Sequence, residues 1–428
     1  MGATLSAPVE LTRVQRHGSK AFRCGVAEMQ GWRNTHEDAH EVACGDTAGA
    51  FWVLDGHGGD AAAKHGAVHL AKEFEEELAS GGATLPTDER IAQGLAAVDV
   101  KLRERFRERA AEESGSTVIG AMAALQPDGT YTLKLINCGD SRAIVVRGPT
   151  EIEEEKSTVT LRVPEHLLSL PEGTAEEYQA RTCRWPLVQE TVDHKPSHPT
   201  EKGRIEAAGG TVTQDAPPRL DGNLAVSRGL GDFEYKRDES RGVPEQKVSC
   251  VPDIYEVKGL KAGSLVILCC DGVWDVMTGE AVGESVRGCL EKKPATDLGD
   301  IAATIVKESL EKSSRDNVTA MVVRLSGGED WATPQPDEMQ CFGQLASEER
   351  LDDEVKNACL TFLSRGNFGA EPLPCVVCSK WFASMHQCGC QTIIYCGKAC
   401  QKKHWKTHKS DCPAAKAGDK KAGPDSDK

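Results

Sequence analysis

The chain has 428 residues and a formal net charge of −15, with 39% hydrophobic and 27% charged residues. This composition is ordinary for a globular protein of more than one domain, and its acidic balance argues against nucleic-acid binding as the main role. The longest apolar stretches are strand-sized, so we expect neither a membrane-spanning helix nor a secretory signal.

Cysteine usage indicates a reducing compartment. Seven of the seventeen cysteines lie between Cys375 and Cys412, and the others are scattered, several of them within apolar strand patterns. This distribution favours one metal-binding module over a secreted disulfide scaffold. We therefore expect an intracellular protein, in the cytoplasm, the nucleus or both.

The first 22 residues are predicted to form an arm ahead of the main domain. They begin MGATLS, which fits the pattern for myristoylation at Gly2. One acyl chain needs a second signal for stable membrane binding, and a basic stretch follows: Arg13, Arg16, Lys20 and Arg23. The hypothesis is a peripheral membrane contact through a lipidated N-terminus, and the alternative is an unmodified, disordered one.

The main domain is organised around residues 51–60, FWVLDGHGGD. Four large apolar residues predict a buried strand, which stops at Asp55-Gly56 and is followed by His57. A strand that ends in a carboxylate holds that carboxylate in a fixed place. Taken alone, however, an Asp-Gly pair is more often a simple turn.

The same arrangement recurs further along the chain. An apolar strand at residues 265–270 runs into Asp271-Gly272, and Asp316 stands just before another apolar run. Upstream, Glu37 and Asp38 form an adjacent acidic pair, which would repel unless a cation lies beside it. Carboxylates gathered at strand ends predict a cage of oxygen ligands for Mg²⁺ or Mn²⁺ rather than zinc. Two such metals about 3.5–4 Å apart can activate water and clamp a phosphoryl group.

Helices and strands are predicted over the rest of the main domain. The first helical pattern has apolar residues at Ala63, Ala67, Leu70, Phe74 and Leu78. Further helices are expected near residues 88–109, 278–290 and 297–312, with a short one from about residue 200 that stops at Gly209-Gly210, and strands at 116–125, 130–137, 142–147 and 318–323. Residues 149–181 are acidic, contain prolines and lack periodicity, so we predict an inserted surface loop with a short strand at 158–163.

Eight motifs in order resemble those of one known family. They are MQGWRNTHEDAH, VLDGHGG, SGSTV, CGDSRA, DHKPSHPTEKGRIEAAGG, LAVSRGLGD, CCDGVWDV and SRDNVTAMVV. They are similar to the successive motifs of the metal-dependent protein phosphatase 2C family of serine/threonine phosphatases. The resemblance implies an α+β fold, with a central β-sandwich of two antiparallel sheets flanked by helix pairs. We assign residues 23–326 to this phosphatase domain, with residues 149–181 as its acidic insertion.

The resemblance also implies the metal ligands. Asp55 would bridge the two metals and Gly56 would offer its carbonyl oxygen. Asp271 and Asp316 would bind the first metal directly. Two residues match positions linked to a weaker third metal, with a turn residue and a helix cap as the alternative readings: Asp140 and Asp275.

The remaining catalytic roles follow from the same resemblance. Glu37 and Asp38 match acidic positions that act directly or through metal-bound water. Arg33 would grip the substrate phosphate with its planar guanidinium. A water held by the two metals would attack phosphorus, with no covalent phosphoenzyme, and His57 would protonate the leaving oxygen.

Two features depart from the family pattern. The acidic insertion lies where a short hairpin connection is expected. Asp253, in Val251-Pro252-Asp253, stands where a glutamate is more usual. Neither touches the proposed ligands, so the active-site set is complete, which argues against an inactive relative.

The C-terminal segment predicts a zinc module at residues 375–412. Eight zinc-ligand candidates lie within forty residues, enough for two tetrahedral sites: Cys375, Cys378, Cys388, Cys390, Cys396, Cys400, His408 and Cys412. The pattern resembles the MYND zinc finger, in which the ligand pairs interleave. That resemblance implies one zinc on Cys375, Cys378, Cys396 and Cys400, and a second on Cys388, Cys390, His408 and Cys412.

One zinc-ligand pair departs from the MYND pattern. Cys388 and Cys390 are separated by one residue where two are usual. Either the turn between these two ligands is tighter than usual, or His386 replaces Cys388 as a ligand. We favour Cys388. His404 is expected to pack or to face solvent.

The segments on the two sides of the finger are predicted to be a linker and a disordered tail. Residues 327–374 read as a linker with one helix near 348–363, and residues 413–428 as a disordered basic tail. From Cys375 onward ten lysines face four acidic residues. MYND fingers usually bind proline-containing peptides, so this positive charge need not mean nucleic acid.

The leading prediction is a protein phosphatase that hydrolyses phosphoserine and phosphothreonine in protein substrates. It would use two Mg²⁺ or Mn²⁺ ions and two Zn²⁺ ions, with the finger recruiting partners. The alternative is a phosphatase-like scaffold with weak catalysis that acts mainly through the finger. A lysine methyltransferase, another class that carries MYND fingers, is excluded because no second catalytic domain is visible to hold its cofactor.

Overall fold

The computed structural model describes residues 4–79, 83–152, 159–168, 184–329, 331, 336–341, 352–365, 375–378, 380–382, 386–388, 390, 393–395 and 397–416. Over those ranges, every helix is too short or too polar to cross a membrane. The helices are α1 (Ala61–Glu73), α2 (Glu75–Ala79), α3 (Asp88–Glu108), α4 (Glu165–Leu168), α5 (Pro199–Ala207), α6 (Asp271–Trp274), α7 (Gly279–Lys292), α8 (Leu298–Glu311), α9 (Asp353–Arg365), α10 (Lys398–His408) and α11 (Pro413–Lys416).

The strands form two large sheets and two small ones. They are β1 (Thr4–Gly18), β2 (Phe22–Arg33), β3 (Ala39–Cys44), β4 (Ala48–Leu54), β5 (Gly56–His57), β6 (Gly115–Ser116), β7 (Val118–Leu125), β8 (Tyr131–Cys138), β9 (Arg142–Val146), β10 (Thr160–Arg162), β11 (Leu187–Glu190), β12 (Leu230–Gly231), β13 (Asp253–Leu260), β14 (Leu265–Cys269), β15 (Val318–Leu325), β16 (Glu338–Cys341), β17 (Lys380–Phe382), β18 (His386–Gln387) and β19 (Ile394–Tyr395).

Both large sheets are antiparallel. The eight-stranded sheet has the order β11-β9-β14-β15-β2-β1-β16-β17, and the six-stranded sheet has the order β10-β13-β8-β7-β4-β3. Strands β4 and β14 consist of buried apolar residues throughout, which is typical of interior strands in sheets that are covered on both faces. The predicted carboxylate-bearing strands are therefore central strands.

The two large sheets pack face to face around one core. Side chains from both sheets fill the space between them, and the Phe22 ring lies 5.4 Å from Phe51 and 5.9 Å from Tyr131. Helices α1 and α3 pack on the outer face of the six-stranded sheet, and α7 and α8 on the outer face of the eight-stranded sheet. This four-layer sandwich confirms the predicted fold class and its flanking helix pairs.

The helices begin where their sequences provide caps. Thr87 Oγ1 accepts the Arg90 N–H at 3.2 Å, Thr278 Oγ1 accepts the Ala281 N–H at 3.2 Å, and Asp297 Oδ1 accepts the Asp300 N–H at 3.1 Å. Each cap satisfies a backbone donor that the first helical turn leaves without a partner. These caps fix the starts of α3, α7 and α8.

The N-terminal residues differ from the predicted arm. Residues 4–18 form β1, which pairs with both β2 and β16 inside the eight-stranded sheet. Arg16 is buried, and it forms ion pairs with Asp297 at 2.6 Å and Glu338 at 3.1 Å. Arg13 is paired with Glu28 at 3.5 Å. Arg13 and Arg16 therefore hold β1 to its neighbours, whereas Lys20 is exposed, and Gly2 lies outside the described residues.

The segment predicted as a linker also differs. Residues 338–341 form β16, which pairs with β1 on one side and with β17 of the finger on the other. The predicted helix is present as α9, and its apolar face packs on β1. The segment belongs to the folded body because it supplies a strand and a covering helix to the phosphatase sheet.

Two other segments are described only in part. Within the predicted acidic insertion, β10 adds an edge strand to the six-stranded sheet, close to the predicted strand at 158–163, and α4 follows it. Residues 153–158 and 169–183 lie outside the described residues. The predicted disordered tail begins with the short helix α11, and residues 417–428 lie outside the described range.

Candidate functional site

The predicted site carboxylates meet at one end of the sandwich. Asp55 follows β4, Asp271 begins α6 immediately after β14, and Asp316 precedes β15, while Glu37 and Asp38 lie between β2 and β3. Carboxylate oxygens of Asp38 and Asp55 lie within 4.8 Å of each other. The ends of four central strands thus bring together acidic groups that are far apart in sequence.

The carboxylates of this cluster have raised pKa values, because they are buried and repel one another when ionised. Burial raises the pKa of Asp38 to about 8, and repulsion from Asp316 and Asp271 adds to the shift. Burial also raises the pKa of Asp55 well above its usual value, with further increments from Asp38, Asp316 and Asp140. The pKa of Asp271 is raised for the same reasons. Like charges this close are ionised together only when a positive charge lies between them.

Asp38 offers a free ligand atom. Thr319 Oγ1 donates to Asp38 Oδ2 at 2.6 Å, whereas Oδ1 is buried and accepts no hydrogen bond from any described residue. A buried carboxylate oxygen without a partner is costly. Its chemistry and position fit a hard divalent cation.

The thiol of Cys270 lies beside these carboxylates without the character of a ligand. Its sulfur is within 4.8 Å of the Asp38 and Asp55 oxygens. Burial, followed by the neighbouring carboxylates, raises its pKa well above the usual value, so the thiol stays protonated. It donates to the Asn317 carbonyl oxygen at 3.5 Å. The donor set therefore remains oxygen-based, which suits Mg²⁺ or Mn²⁺.

Glu37 is fixed through both its backbone and its side chain. Its N–H donates to Asn317 Oδ1 at 2.8 Å, and its carboxylate accepts the Gly59 N–H at 3.1 Å and the Thr35 hydroxyl at 2.8 Å. Gly56 must be glycine, because a Cβ there would lie 2.4 Å from the Glu37 carbonyl oxygen. This close approach brings the Gly56 backbone to the acidic cluster.

Two cationic side chains face the cluster. The Arg33 guanidinium donates to Asp316 Oδ2 and remains 43% exposed, so it can reach an incoming anion. Lys195 Nζ lies 2.5 Å from Asp140 Oδ2. Burial opposes the charge on Lys195, but the Asp140 carboxylate outweighs it and raises the pKa of Lys195. Both cations would move or share their partners when a divalent cation or a phosphate enters.

The two third-metal candidates lie on the Lys195 side. Asp140 is buried in the turn between β8 and β9, and Asp275 ends helix α6. Burial raises the pKa of Asp275, although Lys195 partly offsets that rise and Asp140 adds to it. The structure brings these two residues close enough for mutual repulsion, beside the main cluster.

His57 is held by a carboxylate that the sequence analysis did not assign. Its Nε2 lies 2.8 Å from Asp232 Oδ2 and 2.9 Å from Oδ1. Burial lowers the pKa of His57, but the Asp232 charge overcomes this, and the net pKa is above its usual value. A protonated imidazole at the edge of the acidic cluster can act as a proton donor.

The site residues that the sequence analysis did not assign lie within the motifs quoted there. Asp232 ends LAVSRGLGD, Lys195 lies in DHKPSHP, and Asn317 and Thr319 lie in RDNVT. Asn317 joins three segments, because its Nδ2 also donates to the carbonyls of Gln30 at 2.8 Å and Thr35 at 2.9 Å. None of these residues has metal-ligand spacing, and their roles depend on contacts between distant segments.

The finger brings together two groups of thiol and imidazole donors. Ligand atoms of Cys388, Cys390, His408 and Cys412 lie within 4.8 Å of one another, with 3.5 Å between Cys388 Sγ and His408 Nε2. A second group consists of Cys375, Cys378 and Cys400. The predicted fourth member, Cys396, lies outside the described residues. The grouping has the interleaved order expected of the finger.

Two histidines lie outside these zinc-ligand groups. The His386 side chain is exposed on β18, so the structure places Cys388 rather than His386 in the group. His404 Nδ1 lies 3.0 Å from the Tyr395 hydroxyl, and its ring stacks on His408 at 5.3 Å. It packs against a candidate ligand, as the sequence predicts.

Comparison with known proteins identifies both parts of the chain. The protein phosphatase 2C family profile matches residues 22–318, and the MYND finger profile matches residues 375–412. Mouse protein phosphatase 1B is 34% identical over 343 residues, which cover 76% of each chain. Human protein phosphatase 1A is 34% identical over 336 residues, again covering 76% of each chain.

Solved structures show the same fold at lower sequence identity. A phosphatase from Toxoplasma gondii aligns with a TM-score of 0.58 and 24% identity, covering 76% of this chain and 98% of that one. A Caenorhabditis elegans sex-determining protein aligns with a TM-score of 0.54 and 21% identity, covering 72% and 66%. The solved structures confirm the fold, and the family match with the curated relatives confirms the predicted enzyme class. The chain belongs to the protein phosphatase 2C family of metal-dependent serine/threonine phosphatases, and it carries a MYND zinc finger after the phosphatase domain.

Proposed function

We propose that the chain hydrolyses phosphoserine and phosphothreonine in proteins through a dinuclear Mg²⁺ or Mn²⁺ centre. The observation that carries this proposal is the convergence of Asp38, Asp55 and Asp271, whose pKa values are all raised by burial and by one another. Asp55, the Gly56 carbonyl, Asp271 and Asp316 would hold the cations, with Asp55 as the central carboxylate. When bound, the cations would acidify water and neutralise phosphate charge.

The chain's own groups would then position the substrate and the protons. Arg33 would exchange part of its contact with Asp316 for a bidentate contact with the phosphate, since its guanidinium is exposed at the site. Asp38 would orient water through its Oδ1, which accepts no hydrogen bond from a described residue, and Glu37 through the remaining acceptor capacity of its carboxylate. His57, kept protonated by Asp232, would give a proton to the departing serine or threonine oxygen. Asp232 holds Nε2, which leaves Nδ1 to make that transfer.

A weaker third cation site would involve Asp140 and Asp275. Lys195 now neutralises Asp140, and its ammonium group would have to move aside for a cation to bind there. A site that must displace an ion pair is expected to bind more weakly than the main centre.

We infer that the finger holds two Zn²⁺ ions and recruits proteins through proline-containing segments. The donor sets are thiolate and imidazole, which suit tetrahedral zinc. The first zinc would use Cys375, Cys378, Cys396 and Cys400, and the second would use Cys388, Cys390, His408 and Cys412. Partner peptides would bring phosphoproteins to the catalytic domain.

We also infer an intracellular location, in the cytoplasm or the nucleus. The cysteines in the described part of the chain form no disulfide bonds with one another, as a reducing compartment favours. Membrane association would rest on Gly2 with Lys20 and Arg23, because Arg13 and Arg16 are engaged in ion pairs. Labelling cells with an alkyne analogue of myristate tests this, with Gly2→Ala as the control, and absence of label on the wild type would end the hypothesis.

Calorimetric titration with Mn²⁺ and phosphopeptide hydrolysis together test the catalytic proposal. Wild-type protein should bind Mn²⁺ and hydrolyse the peptide, and a chelator should stop hydrolysis. Asp55→Asn should lose both properties, because it removes the bridging charge. Hydrolysis that survives in Asp55→Asn would overturn the site assignment. Mn²⁺ binding by wild type without hydrolysis would instead favour the scaffold reading.

A further inference from the structure

Helix α9 lies beyond the part of the chain that matches the phosphatase family. It covers residues 353–365, whereas the family match ends at residue 318. Its apolar residues follow helical spacing and are buried against β1: Val355, Ala358, Cys359, Phe362 and Leu363. The other side of this cluster is formed by Leu5, Val9 and Leu11 of β1 and by Met339 of β16. Through this packing α9 is docked on the catalytic sheet.

One residue of this helix touches the loop that carries two site carboxylates. The Phe362 ring centroid lies 5.3 Å from the imidazole centroid of His36, with the rings tilted by 57°. Both side chains are only 4% exposed. His36 immediately precedes Glu37 and Asp38. The contact therefore connects the added helix to the acidic cluster through a single loop residue.

The loop is held by hydrogen bonds within the phosphatase domain and by one packing contact from α9. Thr319 Oγ1 donates to Asp38 Oδ2 at 2.6 Å, and Gln30 Nε2 donates to the Asn34 carbonyl at 3.1 Å. Asn317 accepts the Glu37 N–H and donates to the Thr35 carbonyl, at 2.8 and 2.9 Å. From α9, Phe362 packs on His36. Residues 34–38 lie between β2 and β3 and are not part of a β-strand, so they lack the backbone hydrogen bonds of a sheet. Their position accordingly depends on these side-chain contacts.

We propose that Phe362 is a positioning residue, which holds the Glu37 and Asp38 side chains in place by packing on His36. Helix α9, which precedes the finger, would then be part of the catalytic unit. This inference rests on the proposed metal-binding function of the Glu37-Asp38 pair. Removing the ring would leave a gap beside His36, and the loop would gain freedom to move away from the cluster. Displacements of about 1 Å in such groups are enough to cost orders of magnitude in rate.

The matched control lies on the same helix. Val355 is 1% exposed and belongs to the same apolar cluster, two turns away from the His36 contact. Val355→Ala and Phe362→Ala should both lower the melting temperature of the full chain, because both leave cavities under α9. Only Phe362→Ala should weaken Mn²⁺ binding, measured by calorimetry, by roughly tenfold.

Kinetics separate positioning from substrate binding. In Phe362→Ala, kcat for a phosphopeptide should fall by roughly tenfold while KM changes less than twofold, since Arg33 is untouched. Phe362→Leu keeps most of the apolar volume and should recover the melting temperature and much of the Mn²⁺ affinity. It also serves as the test variant should Phe362→Ala fail to fold, and it should then bind Mn²⁺ more weakly than Val355→Ala.

The outcomes distinguish this inference from the proposed function. If wild-type protein binds no Mn²⁺, the proposed function fails. If wild type binds Mn²⁺ and the Phe362 variants bind it as tightly as Val355→Ala does, the positioning role of Phe362 is wrong, and α9 only stabilises the fold.

Discussion

The Asp232 carboxylate lies 2.8 Å from Nε2 of His57, and Gly115 stands directly beside the pair. A Cβ on Gly115 would lie 2.2 Å from both His57 Nε2 and Asp232 Oδ2. The backbone at residue 115 is therefore the wall of the pocket in which imidazole and carboxylate meet. His57 and Asp232 can lie this close only because residue 115 has no side chain, so the proton held on His57 depends on Gly115.

Replacing Asp232 by asparagine should move the pH dependence of hydrolysis. The carboxylate raises the pKa of His57, so its loss should lower that pKa, and the acid form should disappear at a lower pH. The descending limb of the kcat profile should shift toward acid pH. At pH 8, kcat should fall about tenfold or more, with a smaller loss at pH 6. A pH–rate series measures this, and an unshifted limb would remove His57 as the acid.

Replacing Gly115 by alanine should produce the same shift without changing a charge. The methyl group would force His57 and Asp232 apart, because both lie closer to it than atoms can pack. The profile should resemble that of Asp232→Asn. Gly203→Ala is a suitable steric control, since a Cβ there meets nothing within 4 Å and residue 203 lies within helix α5. A wild-type profile for Gly115→Ala would contradict this geometry.

The metal-free protein should lose stability as pH rises. In the folded state the pKa of Asp38 is about 8, above its usual 3.8, so the unfolded chain releases the proton more readily. Deprotonation therefore favours unfolding between about pH 4 and pH 8. Asp38→Asn should remove this contribution and raise the melting temperature of chelator-treated protein at pH 8 by a few degrees.

Added Mn²⁺ supplies the converse test of the same cluster. It should raise the melting temperature of wild type at pH 8, because it neutralises the carboxylates. The rise should be much smaller in Asp38→Asn. A calorimetric scan with and without chelator measures both effects. Equal Mn²⁺ stabilisation of wild type and variant would show that Asp38 does not face the cation.

Asp253 should be a major determinant of stability. It contacts the buried Arg228 at 2.8 Å and the buried His194 at 3.1 Å, and the half-exposed His166 at 3.2 Å. Asp253→Ala would leave Glu201, 2.7 Å from Arg228, as the acidic partner of that guanidinium, and the loss of one buried partner typically costs about 1–3 kcal/mol. Asp238→Ala, at an exposed ion pair, should cost less than about 1 kcal/mol. Urea unfolding compares the two, and similar losses would contradict the proposed importance of burial.

Zinc content should separate the two candidate ligands near residue 388. Cys388→Ser should reduce zinc from two ions to about one per chain, because Cys388 lies among Cys390, His408 and Cys412. His386→Ala should leave the content unchanged, since its side chain is exposed. Elemental analysis of purified protein measures this. The opposite pattern would assign the ligand to His386.

Much of the site could be predicted because its carboxylates sit in strong local patterns. Asp55 and Asp271 each end an apolar strand, and such strands occupy the interior of a sheet where chain ends converge. Asp232 has no comparable signal. It lies in a glycine-rich turn, with a left-handed backbone at φ of 51°, and only the folded chain shows that it meets His57. Its role depends on a contact between residues 175 positions apart.

The N-terminal strand shows why charge patterns mislead. Arg13 and Arg16 look like a basic surface in sequence, but Arg13 pairs with Glu28 on the neighbouring strand, and Arg16 pairs with Asp297, 281 positions away. The alternating buried residues Leu5, Val9, Leu11 and Val14 are spread thinly over fifteen residues, so the strand pattern is weak. Ion pairs between distant segments have no signature in a single sequence. The same holds for β16, whose four residues form a strand only because β1 and β17 flank them.

The pairing of β16 with β17 sets where this protein can be divided. A fragment that stops at residue 326 would lack β16 and α9, and would leave β1 as an open edge with Leu5, Val9 and Leu11 uncovered. An exposed apolar edge strand is a template for self-association. The smallest well-behaved phosphatase fragment should therefore extend through residue 365, and even then its outermost strand would have lost the neighbour that the zinc finger provides.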